Sequence, residues 1–449
     1  MAAKLTVLSI LVSVISLCAC QSEPRFVKRD DGSTDVIVQD LPGVKDVAVT
    51  LTGYSWTYRY ELRKTAGAWR ATLSNIPDGP DAEILYEVDY HFDTSMSKQE
   101  GTIQYSNTGT VAPPVSPRHL QRRATTVLFD DFSSGHINPQ NWQHAVTANG
   151  GGGNEFNMYT PEAVNSYVKN GELYIRPTLT TDRFGDNFLK NGNLDVKAVW
   201  GTCTGSARDG CMRHGSKIPV IMSASLTSKT HIRYGKIEVV AKLPKGDWLW
   251  PAIWMLPTEA HYGGWPRSGE IDIMEARGNL HYKTAKQGWQ AGAAQEHATI
   301  HYGAAWNNKK SHGGQHTLQG TTFADNFHTY WIDWTADYVK LGVDSHTLIA
   351  FNTPSQGYWH EGNFQGNNIW ANGGKDAPFD RPFHLILNVA VGGNWFSHGM
   401  TNSPYPQPWH DGWPDAMMGE FWHARHLWWP TWHGEDVAMK IKSVKMQQY

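Results

Sequence analysis

The 449-residue sequence is short of charge, cysteine and long apolar runs. Charged residues make up 18% of it and the formal net charge is −3, so it lacks the basic field that binds nucleic acid or an anionic membrane. Apart from residues 5–17, no stretch approaches the roughly 20 apolar residues that span a membrane. No long segment repeats apolar residues with helical spacing. We therefore expect no nucleic-acid partner, no membrane partner and little helix.

The N-terminal segment, residues 1–20, has the features of a secretory signal. Lys4 precedes an apolar run, and the segment ends in the small residues Cys18-Ala-Cys20. This pattern predicts a secreted, extracellular protein. The alternative is a bacterial lipidation box in Leu17-Cys-Ala-Cys20.

Cysteine is scarce in the rest of the chain. Of the four cysteines, only Cys203 and Cys211 lie beyond the expected signal. Two cysteines so close together in a secreted chain predict a disulfide. A zinc site is the weaker alternative, because only His214 lies nearby and two thiols make an incomplete ligand set.

Aromatic rings and glycine are abundant. The chain contains 21 Trp, 18 Tyr and 43 Gly. This number of tryptophans exceeds what a hydrophobic core needs, and flat rings that line a groove commonly hold the apolar faces of sugars. Glycine-rich turns between short strands are typical of all-β proteins. The composition therefore favours an all-β protein that binds carbohydrate.

The length suits two domains. Residues 21–105 contain short runs of alternating apolar and polar residues between Gly, Pro and Asp turns, which predict a small immunoglobulin-like β-sandwich. Residues 106–125 contain several prolines and basic residues. We expect this segment to be a linker where proteolysis releases a shorter C-terminal fragment. Residues 126–449 form the second, larger domain.

Three carboxylates fall within six residues in the motif Glu270-Ile-Asp-Ile-Met-Glu275. Side chains alternate between the two faces of a strand, so Glu270 and Asp272 share one face and the two isoleucines share the other. Strict alternation would turn Glu275 away from the acidic face. One β-bulge at Ile273-Met274 would return it, and we predict that bulge.

This cluster of acids indicates a specific chemistry. Neighbouring carboxylates repel one another, which raises at least one pKa. A glycoside hydrolase uses such a protonated acid for the leaving oxygen and a second carboxylate to attack or stabilise the sugar. Glu270 and Glu275 would lie four pairing steps apart, and their side chains can lean together to the roughly 5–5.5 Å of a retaining enzyme. The simpler alternative is a solvated polar strand face.

The acidic motif follows Trp250-Pro-Ala-Ile-Trp-Met-Leu-Pro and Gly264-Trp-Pro-Arg-Ser-Gly. Together these segments resemble family 16 of the glycoside hydrolases, in particular its invertebrate laminarinases and β-1,3-glucan-binding proteins. The resemblance covers about residues 129–449. It implies a curved β-jelly-roll sandwich with a substrate groove, in which Glu270 is the nucleophile, Glu275 the acid/base and Asp272 a residue that tunes the pair.

The resemblance also implies which further residues line the groove. Three rings are expected to stack on sugars, and five other residues are expected to border the site: Trp250, Trp254 and Trp265, then His301, Asn154, Glu155, Asn388 and Trp395. His301 either contacts the substrate or Asp272, or has a structural role only.

Two further sets of rings leave alternatives open. The insert at residues 401–434 either extends the groove through Trp409, Trp413 or Trp422 or braces the sandwich. In the N-terminal domain, Tyr54, Trp56, Tyr58 and Trp69 either bind glucan or belong to the core, and the core is the preferred interpretation.

The implied activity is endo-hydrolysis of β-1,3-glucan with retention. Retention also permits transglycosylation, and the resemblance extends to mixed-linkage glucan. The alternatives are a non-catalytic glucan-recognition protein and an enzyme for another polymer, such as agar or carrageenan. Binding proteins of this group typically lack the catalytic glutamates, and both are present here.

The expected partner is a laminarin-like polysaccharide, and we expect the protein to act as a monomer. Catalysis by two carboxylates requires no metal or cofactor. The resemblance leaves room for a structural calcium ion, whose ligands the sequence does not identify.

Overall fold

The structure is a computed structural model. It describes residues 124–449 except 206–207, 397–398 and 411, together with the N-terminal residues 25–28, 34–39, 45–52, 57–65, 68–73, 82–91 and 96–105. The expected signal, nearly all of the expected linker, the rings of Tyr54 and Trp56 and the side chain of Tyr58 lie outside the described residues. The chain divides into two compact units, Met1–Leu120 and Gln121–Tyr449.

The N-terminal unit contains eight described strands. They are β1 (Arg25–Lys28), β2 (Thr34–Gln39), β3 (Asp46–Thr52), β4 (Thr57–Glu61), β5 (Arg63–Thr65), β6 (Ala68–Leu73), β7 (Ala82–His91) and β8 (Met96–Tyr105). They form two antiparallel sheets with the strand orders β1-β2-β6-β5 and β4-β3-β7-β8. Trp69 is buried, as are Val36, Val47 and Leu62, so Trp69 belongs to the core.

The C-terminal unit is built mainly from strands. They are β9 (Thr125–Asp130), β10 (Trp142–His144), β11 (Asn157–Tyr159), β12 (Ser166–Lys169), β13 (Glu172–Ile175), β14 (Thr178–Leu179), β15 (Asn193–Asp195), β16 (Met212–His214), β17 (Ile221–Ser223), β18 (Ser225–Ile232), β19 (Gly235–Lys242), β20 (Leu249–Pro257), β21 (Glu270–Ala276), β22 (Lys283–Thr284), β23 (Gln295–Ala305), β24 (Asn308–Thr317), β25 (His328–Trp334), β26 (Tyr338–Val343), β27 (His346–Asn352), β28 (Phe383–Val391), β29 (Met400–Thr401) and β30 (Met439–Gln448).

Two large sheets dominate this unit. The first, which we call the acid-bearing sheet, has the order β10-β18-β28-β20-β21-β23-β24. The second sheet has the order β12-β13-β30-β19-β25-β26-β27, with β9 paired to β30. Smaller groups are β11-β17-β14, β15-β16 and β22-β29. All neighbours in the two large sheets are antiparallel.

The core is a single cluster of buried hydrophobic residues that both large sheets supply. Ile271 and Ile273 of β21 belong to it, as do Ile237 and Val239 of β19. The isoleucine face of the acidic motif is therefore buried, as the alternation predicts. Burial of this face leaves the opposite face of β21 for the acids.

Helices are short. They are α1 (Thr180–Phe184), α2 (Phe188–Asn191), α3 (Val196–Trp200), α4 (Arg208–Cys211), α5 (Gly357–Glu361), α6 (Pro414–His423) and α7 (Arg425–Trp428), with 3-10 turns at Gly215–Lys217 and Trp429–Thr431. The prediction of an all-β fold is confirmed. Among the described residues, no helix combines the length and apolar character needed to cross a membrane.

Two sequence expectations outside the sheets are resolved. Cys203 and Cys211 form a disulfide, so that prediction is confirmed. In the 401–434 insert, Trp409 is buried and packs against Phe156 and Trp248. Trp409 therefore braces the sandwich, whereas Trp413 is 84% exposed.

Glu296 is an ionisable residue placed inside the core. It lies on β23 beside Ala276 of β21 and is fully buried. Neither of its carboxyl oxygens has a hydrogen-bond partner among the described residues. Burial raises the pKa of Glu296 well above 4.5, and the charge of Asp344 adds to this effect. The folded state therefore favours the protonated form.

We expect Glu296→Gln to change how stability depends on pH. The folded protein keeps the Glu296 proton where the unfolded chain releases it, so this stabilising contribution is complete below about pH 4.5 and declines as the pH rises. Relative to the variant, the wild type should lose about 1.4 kcal/mol per pH unit above pH 4.5, up to the folded pKa. Urea unfolding of the full chain from pH 4 to pH 8 measures this difference.

Glu259→Gln is the matched control, because Glu259 is exposed. Its unfolding free energy should follow that of the wild type at every pH. Parallel stability curves for the wild type and Glu296→Gln would contradict the interpretation of Glu296.

Candidate active site

The bulge predicted in β21 is present. Across β20, Ile253 pairs with Met274 and Trp254 pairs with Asp272, so Ile273 has no partner. The register across β23 shifts over the same residues, between Asp272 and Glu275. The extra residue returns Glu275 to the face that carries Glu270 and Asp272.

Strand β23 supplies the row of residues that faces the acids. The opposed pairs are Glu270 with His301, Asp272 with Thr299, and Glu275 with His297. Residues directly opposite each other in an antiparallel pair project from the same face of the sheet. The acids span four steps of β23, as the spacing of Glu270 and Glu275 predicts.

The three acids share a poorly solvated site. Asp272 is 3% exposed and Glu275 is 9% exposed, while Glu270 is half-buried. Burial raises the pKa of Glu275 to about 8, and the charge of Asp272 adds to it. Burial, then the Asp272 charge, raises the pKa of Glu270 well above its usual range. Burial also raises the pKa of Asp272. The site therefore favours fewer than three charges at neutral pH.

His301 lies beside Asp272, and contact with Asp272 is one of the roles expected for it. Its Nε2 atom is 3.1 Å from Oδ2 of Asp272. Oδ2 of Asp272 and Nδ1 of His301 nevertheless have no hydrogen-bond partner among the described residues. The contact is thus close but poorly aligned, and an imidazolium at this position favours ionisation of the neighbouring acids.

Trp250 contacts Glu275 directly. Its Nε1 donates a hydrogen bond to Oε1 of Glu275 over 3.0 Å. One face of the indole stacks on Trp395 with 5.4 Å between ring centroids and an interplanar angle of 11°. A Cβ atom at Gly153 would approach the Trp250 ring edge to 2.7 Å. Trp250 therefore holds Glu275, and the face covered by Trp395 is closed to a sugar.

Trp254 is held by a different pair of residues. Its Nε1 donates to Oδ1 of Asn388 over 2.6 Å. Asn388 in turn donates from Nδ2 to the Tyr159 hydroxyl over 3.0 Å. Both ends of the Asn388 amide are engaged with protein, so this residue orients Trp254. The contact of Asn388 with substrate stays a prediction.

Trp265 lies at the Glu270 end of the site. The indole interacts with the Glu270 carboxyl in the direction that lowers the pKa of Glu270. The ring is 43% exposed, and Nζ of Lys309 lies 4.5 Å from its centroid. Among the three expected sugar-stacking tryptophans, Trp265 therefore offers the most exposed ring.

The glycine run before β11 folds around Glu155. The N–H groups of Gly151 and Gly153 donate to Oε2 of Glu155 over 2.9 and 3.2 Å. Asn154 is held in the left-handed region at a φ of 59°. Asn394 N–H donates to the Gly153 carbonyl over 2.7 Å, which joins this loop to the Trp395 segment. Glu155 thus organises the loop that abuts Trp250.

Sequence reasoning missed two residues near Glu275. His297 is on the acidic face opposite Glu275, and burial, followed by the charge of Arg277, lowers its pKa to about 4. The alternation of His297 with His301 in β23 was an available signal. Arg277 lies one residue beyond β21 and is 7% exposed. No sequence pattern marks Arg277, because the ring it contacts, Trp395, is distant in the chain.

A structural calcium ion does not fit the ionisable clusters of the described residues. There, one group of three or more His, Cys, Asp and Glu side chains lies close enough together to offer ligands to a metal ion: Glu270, Asp272 and His301, with ligand atoms within 4.8 Å of one another. Calcium takes about six to eight oxygen ligands, whereas this group includes an imidazole nitrogen. The calcium expectation stays a prediction without assigned ligands.

Comparison with known proteins finds a family model, sequence relatives and solved structures that are similar to this chain. The family model described as glycosyl hydrolases family 16 matches residues 193–372. A β-1,3-glucan-binding protein of Penaeus monodon is 39% identical over 74% of this chain and 92% of its own length. A glucan endo-1,3-β-glucosidase of Cryptopygus antarcticus is 32% identical over 63% of this chain and 85% of its own. The laminarinase catalytic domain of Thermotoga maritima is similar with 26% identity and a TM-score of 0.46, over 73% of this chain and 98% of that one.

We expect Asp272→Asn to lower the pKa of Glu275 from its value of about 8. The substitution removes a negative neighbour, so the ionised form of Glu275 becomes easier to reach by roughly one pH unit. A carbon-13 NMR titration of labelled glutamate carboxyls, with Glu275 assigned by Glu275→Gln, measures the shift. Asp182→Asn, at an exposed position, should leave the titration unchanged. An unaltered or raised pKa in Asp272→Asn would refute the electrostatic coupling.

Proposed function

The chain belongs to family 16 of the glycosyl hydrolases, and we propose that it is an endo-β-1,3-glucanase that hydrolyses its substrate with retention. One observation carries this proposal. The bulge in β21 places Glu270 and Glu275 on the same face with Asp272 between them. A paired nucleophile and acid is the requirement of retaining glycoside hydrolysis.

The two glutamates take different roles in the proposed reaction. Glu275 keeps its proton at neutral pH because its pKa is raised to about 8, and a protonated acid can donate to the leaving oxygen. Glu270 attacks the anomeric carbon as a carboxylate. Burial and the Asp272 charge raise its pKa, and His301 and Trp265 act in the opposite direction, toward the ionised form. The Glu275 carboxylate then removes a proton from water, which hydrolyses the glycosyl-enzyme.

The proposed substrate is β-1,3-glucan. Two relatives support it by their descriptions as a β-1,3-glucan-binding protein and a glucan endo-1,3-β-glucosidase. Trp254 and Trp265 are the rings that we propose to stack on sugars. Because the mechanism passes through a covalent intermediate that a second sugar can intercept, we include transglycosylation. From the family resemblance, we also include some hydrolysis of mixed-linkage glucan.

The second candidate is a glucan-recognition protein without catalysis. The relative from Penaeus monodon, at 39% identity, is described as a binding protein. Both candidates require a groove that holds glucan. The presence of Glu270 and Glu275 with raised pKa values favours the enzyme, because binding alone has no use for buried carboxyls that repel one another.

We propose that the protein is secreted and acts as a monomer. The disulfide between Cys203 and Cys211 supports an oxidising compartment. The proposed chemistry uses two carboxyl groups and water, so it requires no metal or cofactor.

Sugar release from laminarin by the wild type and by Glu270→Gln tests the proposal. The wild type should release oligosaccharides, with the β-anomer formed first in a proton NMR time course. Glu270→Gln should lose hydrolysis yet bind laminarin as the wild type does, since the neutral amide keeps the size of the side chain. Glu275→Gln should lower the rate by about 10²–10⁴-fold.

Glu172→Gln is the control, because it makes the same substitution at a glutamate of the second sheet. Its activity should equal that of the wild type. Tight laminarin binding by a wild type that releases no sugar would instead establish the recognition protein. Initial formation of the α-anomer would overturn retention.

A further inference from the structure

A column of three side chains leads from the core to the carboxyl of Glu275. The guanidinium carbon of Arg277 lies 4.3 Å from the centroid of the Trp395 ring. Trp395 stacks on Trp250, and Trp250 donates its Nε1–H to Glu275. Each member thus contacts the next, and the column ends on the acid/base of the proposed reaction.

We propose that Arg277 is a positioning residue for Glu275, which it holds through Trp395 and Trp250 and whose ionised form it stabilises by its charge. This inference rests on the proposed function. Arg277 touches neither the substrate nor the reacting atoms in this scheme. Its influence passes through the two stacked rings and through space.

The guanidinium of Arg277 is fixed from several sides. Its Nη2 donates to the Trp395 carbonyl over 2.8 Å, and its Nη1 donates to the Ala291 carbonyl over 3.3 Å. Tyr282 and Phe396 also lie near the cation, with centroids 5.5 and 5.9 Å away. Since Arg277 binds both the ring and the backbone of Trp395, it fixes where that ring lies.

The charge of Arg277 has no carboxylate partner within ion-pair distance among the described residues. A buried cation without such a partner is costly, and burial correspondingly lowers the pKa of Arg277. A neutral side chain of similar size would fill the same space. The positive charge therefore indicates an electrostatic role toward Glu275, the acid with which Arg277 interacts.

The remaining groups around Glu275 mostly oppose its ionisation. From β21, Asp272 and Glu270 add negative charge, and from β23 the half-buried His297 is held neutral. His301, also on β23, favours the ionised form. Glu155 lies on the loop that abuts Trp250.

Only a small set of groups therefore stabilises the carboxylate that forms when Glu275 gives up its proton. They are the Trp250 hydrogen bond, His301 and Arg277. Without Arg277, the proton should leave Glu275 less readily.

Arg277→Met tests the proposal, because methionine keeps an apolar stem and removes both the charge and the two hydrogen bonds. We expect kcat on laminarin to fall by about 10–100-fold, as a slightly misplaced catalytic group does. KM should stay within twofold, and the alkaline limb of the kcat profile should move to higher pH. Arg277→Lys, which keeps the charge, should return that limb toward the wild-type position.

Arg381→Met is the matched control. Arg381 also lies over a ring, at 5.4 Å from the Tyr262 centroid, and its electrostatic partners are Tyr262, Asp380 and Arg233. This variant should leave the pH profile in place. A purely structural role for Arg277 would lower the amount of folded protein and leave the alkaline limb of the remainder unchanged, which would overturn the proposal.

Carbon-13 titration of the Glu275 carboxyl gives a readout that needs no turnover. Arg277→Met should raise the pKa of Glu275, and Trp250→Phe, which removes the hydrogen bond to Glu275 and keeps a smaller aromatic ring, should do the same. If the wild type proves inactive, the proposed function fails while this titration still decides the role of Arg277. Trp250→Phe and Arg277→Lys keep the test open if Arg277→Met does not fold. An unchanged Glu275 titration in the folded variants refutes the proposal.

Discussion

The site depends on one extra residue in one strand. Ile271 and Ile273 pack into the core, which fixes the face of β21 that carries the acids. An unbroken strand with that constraint would present Glu270 and Asp272 together and send Glu275 toward the core. The bulge leaves Ile273 unpaired against β20 and turns Glu275 outward. Both isoleucines therefore stay in the core while all three acids share the other face. The position of the acid pair is thus set by the packing on the opposite face.

Three carboxyls in a poorly solvated patch destabilise one another, and their surroundings offset this in different ways. His301 favours charge on both glutamates, Trp265 adds to this effect at Glu270, and Trp250 and Arg277 add to it at Glu275. Burial acts against charge on all three acids. The neighbours that favour the ionised form differ between Glu270 and Glu275, so the two glutamates have different environments although they belong to the same strand. Such a difference is what separates an acid from a nucleophile in a carboxyl pair.

Much of this arrangement could be predicted from local patterns in the sequence. Alternation along residues 270–276 predicts one buried face and one acidic face. Placing all three acids on the acidic face then requires the bulge. The disulfide followed from two cysteines eight residues apart. The alternation in β23 also places residue 296 inward beside Ala298 and Ile300, but glutamate is so seldom fully buried that the pattern alone does not suggest it. These features depend on neighbours in the chain or on a single strand pair.

The parts that escaped prediction depend on distant contacts. From the sequence, Trp250 is expected to stack on a sugar. Only the structure shows that it stacks on Trp395 and donates a hydrogen bond to Glu275, and so supports an acid. Asn388 likewise orients Trp254, because Tyr159 takes the other end of its amide. The near-parallel indoles of Trp250 and Trp395 have a further consequence. The two rings lie close enough for their excited states to interact, and Trp250 donates a hydrogen bond to the Glu275 carboxyl. The protein thus carries an aromatic pair in direct contact with the Glu275 carboxyl, so a change in the charge of that carboxyl acts on an intrinsic ultraviolet chromophore without label or substrate.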